Sequence, residues 1–196
     1  MGIKKFLMVV VIGTMALLSE AGAAVITFDD LVGINGNPVA TYNEDGFTVT
    51  SLGEWVEAHN HGNPIPDIYT SYFGNTSQSV SVATSGLFVF NSVDLSTGSG
   101  VANYTIRGLL ANVDQFAALT GQDGPWPFWT TVFGDATSAI DTLIITQTQG
   151  TDSITANIDN ISVAAVTAVP EPATMLLLGS GLIGLAGYGR KKFFKK

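Results

Sequence analysis

Three groups of residues in this sequence have types and spacings that could do chemistry. His59 and His61, the only two histidines, follow closely on Glu57. On an extended segment, side chains two apart share a face, so both imidazoles and Glu57 could line one side of a transition-metal site. The segment runs into Gly62-Asn63-Pro64-Ile65-Pro66, which reads as a loop, and no third strong ligand stands beside it, so a solvated pair is the simpler expectation. Asp29, Asp30 and Asp159 would meet if the first and last strands of the body pair, and hard oxygen ligands of this kind suit Ca²⁺. The competing reading is that these acids end strands and bond local turns. Trp126-Pro127-Phe128-Trp129 follows Gly121-Gln122-Asp123-Gly124, and Trp55, with Tyr69, Tyr72 and Phe73, flanks another irregular stretch. Flat rings on rigid loops could stack on sugar faces while Asp, Asn and Gln neighbours bond hydroxyls. Against that, Trp and Phe in a small β domain usually fill its core.

Catalysis finds little footing. There is no Gly-x-Ser-x-Gly, no His-Glu-x-x-His, no cysteine and no Gly-rich phosphate loop opening a helix. Glu54 and Glu57 are three apart, which on a strand puts them on opposite faces and disfavours a glycosidase carboxylate pair. The expectation is a non-enzymatic protein with no catalytic residues.

The elements that must position these residues read as strands. Runs rich in Val, Ile, Thr, Phe and Tyr recur between Gly, Asn, Asp, Ser and Pro clusters at 25–29, 46–51, 53–57, 78–83, 87–95, 103–110, 128–133, 141–147, 153–156 and 158–164. Apolar side chains alternate in Phe47 and Val49, and in Tyr104 and Ile106, as half-buried strands require, whereas Leu87-Phe88-Val89-Phe90 is apolar on both faces and reads as central. Helical periodicity is nearest at 112–119 and spans no more than about two turns. Strands at this density predict an all-β, antiparallel two-sheet sandwich over residues 25–168.

The two ends read differently. Lys4 and Lys5, the apolar stretch 6–18 and Ala21-Gly22-Ala23-Ala24 make a secretory signal peptide over 1–24, with a signal helix and a cleavage site for signal peptidase after Ala23 or Ala24. At the other end Pro170-Glu171-Pro172 precedes an uncharged run, 173–189, and then Arg190-Lys191-Lys192-Phe193-Phe194-Lys195-Lys196. As a helix, that run would reach roughly 25 Å at 1.5 Å per residue, a marginal transmembrane span against a hydrocarbon core of about 30 Å. The basic cluster would stay cytoplasmic, leaving the body outside. Pro170 and Pro172 hold Glu171 on a stiff extended segment at the membrane edge, where a membrane enzyme could reach it.

Setting both ends aside changes the charge. Seven of the eight basic residues lie in them, so Arg107 is alone in residues 25–168, against fourteen of the sixteen acids, a net charge of −13. Such a body would be repelled by phosphate backbones, which excludes nucleic acid as a partner. With no cysteine, this exported domain must rely on its hydrophobic core.

The order Pro-Glu-Pro, apolar helix, basic cluster over 169–196 resembles the PEP-CTERM sorting signal of bacterial proteins handled by exosortases. The resemblance implies a temporary anchor at 173–189, cut near Pro170, Glu171 and Pro172, and a body released or attached at the cell surface or in an exopolysaccharide matrix such as a biofilm. The phrases Ile26-Thr27-Phe28-Asp29-Asp30-Leu31, Gly86-Leu87-Phe88-Val89-Phe90-Asn91-Ser92-Val93-Asp94-Leu95 and Ile158-Asp159-Asn160-Ile161-Ser162-Val163 are similar to the jelly-roll bodies of carbohydrate-binding and galactose-binding-like sandwiches. That likeness implies first and last strands side by side and a structural calcium at their edge, here at Asp29, Asp30 and Asp159. The expected function is an exported surface or matrix protein, structural or exopolysaccharide-associated. A lectin-like module using Trp126, Trp129 and Trp55 is the alternative, and a glycan hydrolase stands behind it.

Overall fold

The computed structural model describes residues 23–70, 77–150, 152, 155–166 and 180–182. The signal helix expected over 1–24, apart from Ala23 and Ala24, lies outside these residues. So do Tyr72 and Phe73, the Pro170-Glu171-Pro172 motif and, apart from a helical turn at 180–182, the span 173–189. Among the described residues no helix is long and apolar enough to cross a membrane.

The body is all-β. Its strands are β1 (Ala23–Ile26), β2 (Thr41–Glu44), β3 (Phe47–Ser51), β4 (Trp55–Ala58), β5 (Asp67–Thr70), β6 (Ser77–Thr97), β7 (Ala102–Leu110), β8 (Val113–Asp114), β9 (Leu119–Asp123), β10 (Thr130–Phe133), β11 (Ile140–Gln149) and β12 (Ala156–Ala165). Every ladder between them is antiparallel.

The long β6 organises the rest. Its first half pairs with β3 and β11, and its second half with β12 and β10. Ser85, Gly86 and Leu87 between the halves are exposed, where the strand exchanges one set of partners for the other. Around the first half lie β2, β3, β11, β7, β8 and β9; around the second lie β10, β12, β1, β5 and β4. Val80 and Val82 from one half, Phe88, Phe90, Val93 and Leu95 from the other, with Leu143, Ile145, Ile158, Ile161 and Val163, fill one hydrophobic core. All twelve strands belong to one hydrogen-bonded sheet whose two halves share this core, and each fully buried Leu, Ile or Phe contributes about 1.5–3 kcal/mol.

First and last strands do lie side by side, with Ile26 opposite Ile161 and Ala23 opposite Ala164. The first strand ends before Asp29, because Phe28 takes a left-handed φ of 62° and the chain turns at Asp29 and Asp30. The stretches 78–83 and 87–95, expected as two strands, are one strand. Residues 112–119 form no helix, β2, β5, β8 and β9 are additions to the expected set, and of the expected strand 153–156 only Ala156 is in a strand, as the first residue of β12, while Ser153 and Ile154 lie outside the described residues.

Candidate functional site

The aromatic segment sits where the second half of β6 ends. At the close of β9 the Asp123 carboxylate is buried, accepting from the Ala102 amide at 3.0 Å and from the Gln147 side-chain amide. Burial pushes this carboxyl up to about 6, against the pull of those hydrogen bonds. Beyond it Thr97 donates its amide to Gly124 O at 3.0 Å, Trp126 donates to Thr97 O at 2.7 Å, and Phe128 donates to Pro125 O at 3.1 Å. The loop 124–129 is therefore fixed by its backbone, which leaves its side chains free to face outward. Trp126 is 48% exposed and Phe128 74% exposed, while Trp129, leading into β10, is half-buried. Trp55 differs: it is 1% exposed and its indole N–H donates to Ser79 O at 2.9 Å, so this ring belongs to the core.

The acids group differently from the expected set. Asp29 and Asp30 are exposed in the turn after β1, and the Asp30 amide meets the Tyr42 hydroxyl on β2 at 3.4 Å. Asp159 is fully buried on β12, opposite Asp94 of β6, with Asp67 of β5 nearby. These three carboxylates lie under residues 59–66. Asn63 donates its amide to Asp159 at 2.5 Å and its side chain to Asp94 at 3.1 Å, and Asn160 donates to Asp94 at 3.0 Å and to Asn63 O. Thr131 of β10 donates to the other Asp94 oxygen at 2.6 Å. Burial, reinforced by Asp67 and Asp94, raises the Asp159 carboxyl to about 8 despite amides from Asn63 and Asn160.

The histidines do not converge. His59 Nε2 lies 2.8 Å from Glu57, whereas His61 Nδ1 lies 3.1 Å from Asp67 and its ring meets Tyr69 edge-on at 5.0 Å. Burial raises Asp67 to about 6, with His61 pulling the other way. Among the described residues no group of three His, Cys, Asp or Glu side chains is arranged to hold a metal. Sequence reasoning missed Asp67 and Asp94, the second of which is capped by Asn63 from a loop 31 positions earlier in the chain.

Comparison with known proteins now adds a second line. Residues 168–191 match the PEP-CTERM protein-sorting motif. No curated protein matches the chain by sequence. Solved structures with a similar course of chain include carbohydrate-binding modules with jelly-roll β-sandwich folds. One is the family 29 module CBM29_1 of Piromyces equi, at 12% identity and a TM-score of 0.42, over 80% of this chain and 98% of that one. Another is the C-terminal family 22 module of Clostridium thermocellum Xyn10B, at 15% identity and 0.46, over 75% and 96%. The K1 cleaved adhesin domain of Lys-gingipain from Porphyromonas gingivalis W83 stands at 12% and 0.49, over 74% and 99%.

The PEP-CTERM motif marks an exported protein whose tail is processed by an exosortase. In the body itself, a cleft of about 440 Å³ lies between residues 38–40 and 51–56, and Glu54 is its one ionisable lining side chain.

Proposed function

We propose that residues 25–168 form a non-enzymatic, jelly-roll-like sandwich that the sorting tail delivers to the cell surface or extracellular matrix. There it associates with polysaccharide through the loop 124–129. The observation that carries this reading is the exposure of Trp126 and Phe128 on a backbone held by three hydrogen bonds. Large exposed rings on a fixed loop cost solubility and mark interaction surfaces. Because the loop is already ordered, a ligand would meet little entropic cost in using it.

In this reading the span 173–189 holds the exported chain in the membrane until exosortase cuts near Pro170-Glu171-Pro172. Glu171→Ala should leave an uncleaved, membrane-bound form visible by fractionation and immunoblot. Normal release of that variant would overturn the assignment of the motif as the cut site.

Binding is tested with the exported, processed protein in a pull-down on insoluble and immobilised polysaccharides. Trp126→Ala and Trp129→Ala should each weaken retention about tenfold or more, as expected for an aromatic anchor. Retention unchanged in both variants would leave the loop without a role and favour a purely structural protein.

A further inference from the structure

The strand that follows the aromatic loop continues its surface. Among the described residues β10 pairs only with β6, so its other side is a sheet edge. Val132 is buried in the core, so its neighbours Thr131 and Phe133 stand on the opposite face. The Thr131 bond to Asp94 fits that orientation, and the half-buried Trp129 stands one residue before the strand. Phe133 is 78% exposed, a large ring at the position where edge strands usually carry charge. Its backbone is not loose: Gly134 donates to Asn91 O at 2.7 Å and packs so closely on Phe90 that a Cβ there would collide with it. At about 3.4 Å per residue of extended chain, Trp129 before the strand and Phe133 at its end are up to roughly 14 Å apart, with the exposed Thr131 between them. Two rings so separated suit an extended polymer better than a single sugar.

Charge limits what that polymer can be. Arg107 is the only Lys or Arg in residues 25–168, and it donates to both oxygens of Asp114 at 2.9 Å. Both imidazoles face carboxylates of their own. Two residues beyond Phe133, Thr137 and Ser138 hold Asp135 down to about 2, so it is ionised. A carboxylate, sulfate or phosphate on a ligand would therefore find no free cation to meet it, in a body with net charge −13.

We infer that Trp129, Thr131 and Phe133 form an edge-strand platform for an extended glycan that carries no anionic groups. This rests on the polysaccharide reading above and narrows it to a ligand class and a second anchor. The test is affinity electrophoresis of the exported protein through gels containing uncharged polymers (hydroxyethyl cellulose, glucomannan, dextran) or anionic ones (alginate, hyaluronate), with chelator present to prevent cation bridging. At least one uncharged polymer should retard the protein, Phe133→Ala should weaken that retardation about fivefold or more, and neither anionic polymer should retard it.

Equal or stronger retardation by alginate or hyaluronate would overturn the ligand class while leaving polysaccharide binding intact. Unchanged retardation of Phe133→Ala, with Trp126→Ala still impaired, would overturn the platform and confine binding to the loop. Retardation by none of the polymers would overturn both this inference and the reading beneath it. Sedimentation of Phe133→Ala covers the remaining occupant: a change in oligomeric state without a change in retardation would mean that β10 docks a second copy of the chain.

Discussion

The segments 59–66 and 124–129 both cap the sheet around the second half of β6, and they are inverted with respect to each other. The first brings polar groups inward, with Asn63 bonded to Asp159 and Asp94 beneath it and His61 against Asp67. The second turns apolar rings outward, with Trp126 and Phe128 exposed while its backbone is clamped to Thr97. Buried carboxylates persist only where hydrogen bonds offset desolvation, so the first segment is built to hold the fold together. Exposed rings on an ordered backbone add nothing to the fold, so the second is built to meet something else.

The largest effect that would sharpen this contrast is on stability. Asp94→Ala removes the acceptor from Asn63, Asn160 and Thr131 at once. Leaving such donors unpaired in a largely buried site should cost about 3 kcal/mol, or roughly 10 °C in Tm for a domain of this size. Trp126→Ala, in the other segment, should change stability by no more than about 0.5 kcal/mol, as for an ordinary surface site. Thermal melts of both variants decide it. Comparable losses in the two would mean that the aromatic loop is structural and would break the contrast.

How much of this was legible beforehand depended on the reach of each signal. Alternation revealed most of the strands, because Phe47 and Val49 or Ile161 and Val163 carry the pleat in their own neighbourhood. It failed at Ser85 and Gly86, which have turn chemistry yet lie within β6 where that strand exchanges one set of partners for the other. That exchange is a property of the partners on either side, which no local window contains. The three tryptophans made the same point. Trp55 and Trp126 have equal claims by residue type, and only the contact of Trp55 with Ser79 separates a core ring from a presented one. Asp94 was invisible for a related reason: strand acids are normally solvated, and this one is covered by a loop whose Asn63 reaches it across 31 positions of sequence and Asp159 across 96. Phe133 was the one residue within reach, since the inward Val132 beside it already implied an outward ring.

A smaller effect, on pH, separates the two segments without any mutation at the aromatic site. Asp159, raised to about 8, and Asp67 and Asp123, raised to about 6, all keep their protons in the folded state beyond the ordinary carboxylate value of about 4. Between about pH 4 and pH 8 the native protein thus binds more protons than the unfolded chain, and its stability falls as pH rises through that window. Asp135 and Asp114 are shifted downward and have the opposite sign, but they act below about pH 4, where protonation removes their contribution. Tm should therefore be highest near pH 4 to 5 and decline toward pH 8. Asp159→Asn, which has no proton to lose, should flatten the decline above pH 6. Polysaccharide retention should stay level over the same range, because residues 125–134 contain no ionisable side chain. A Tm that rises from pH 5 to 8, or a slope unchanged in Asp159→Asn, would remove the buried carboxylates as the origin of the effect. Retention that follows Tm downward would show that the polar and aromatic segments act as one unit, because loosening the loop over Asp94 would then also release Thr131 and, with it, the edge strand that carries Phe133.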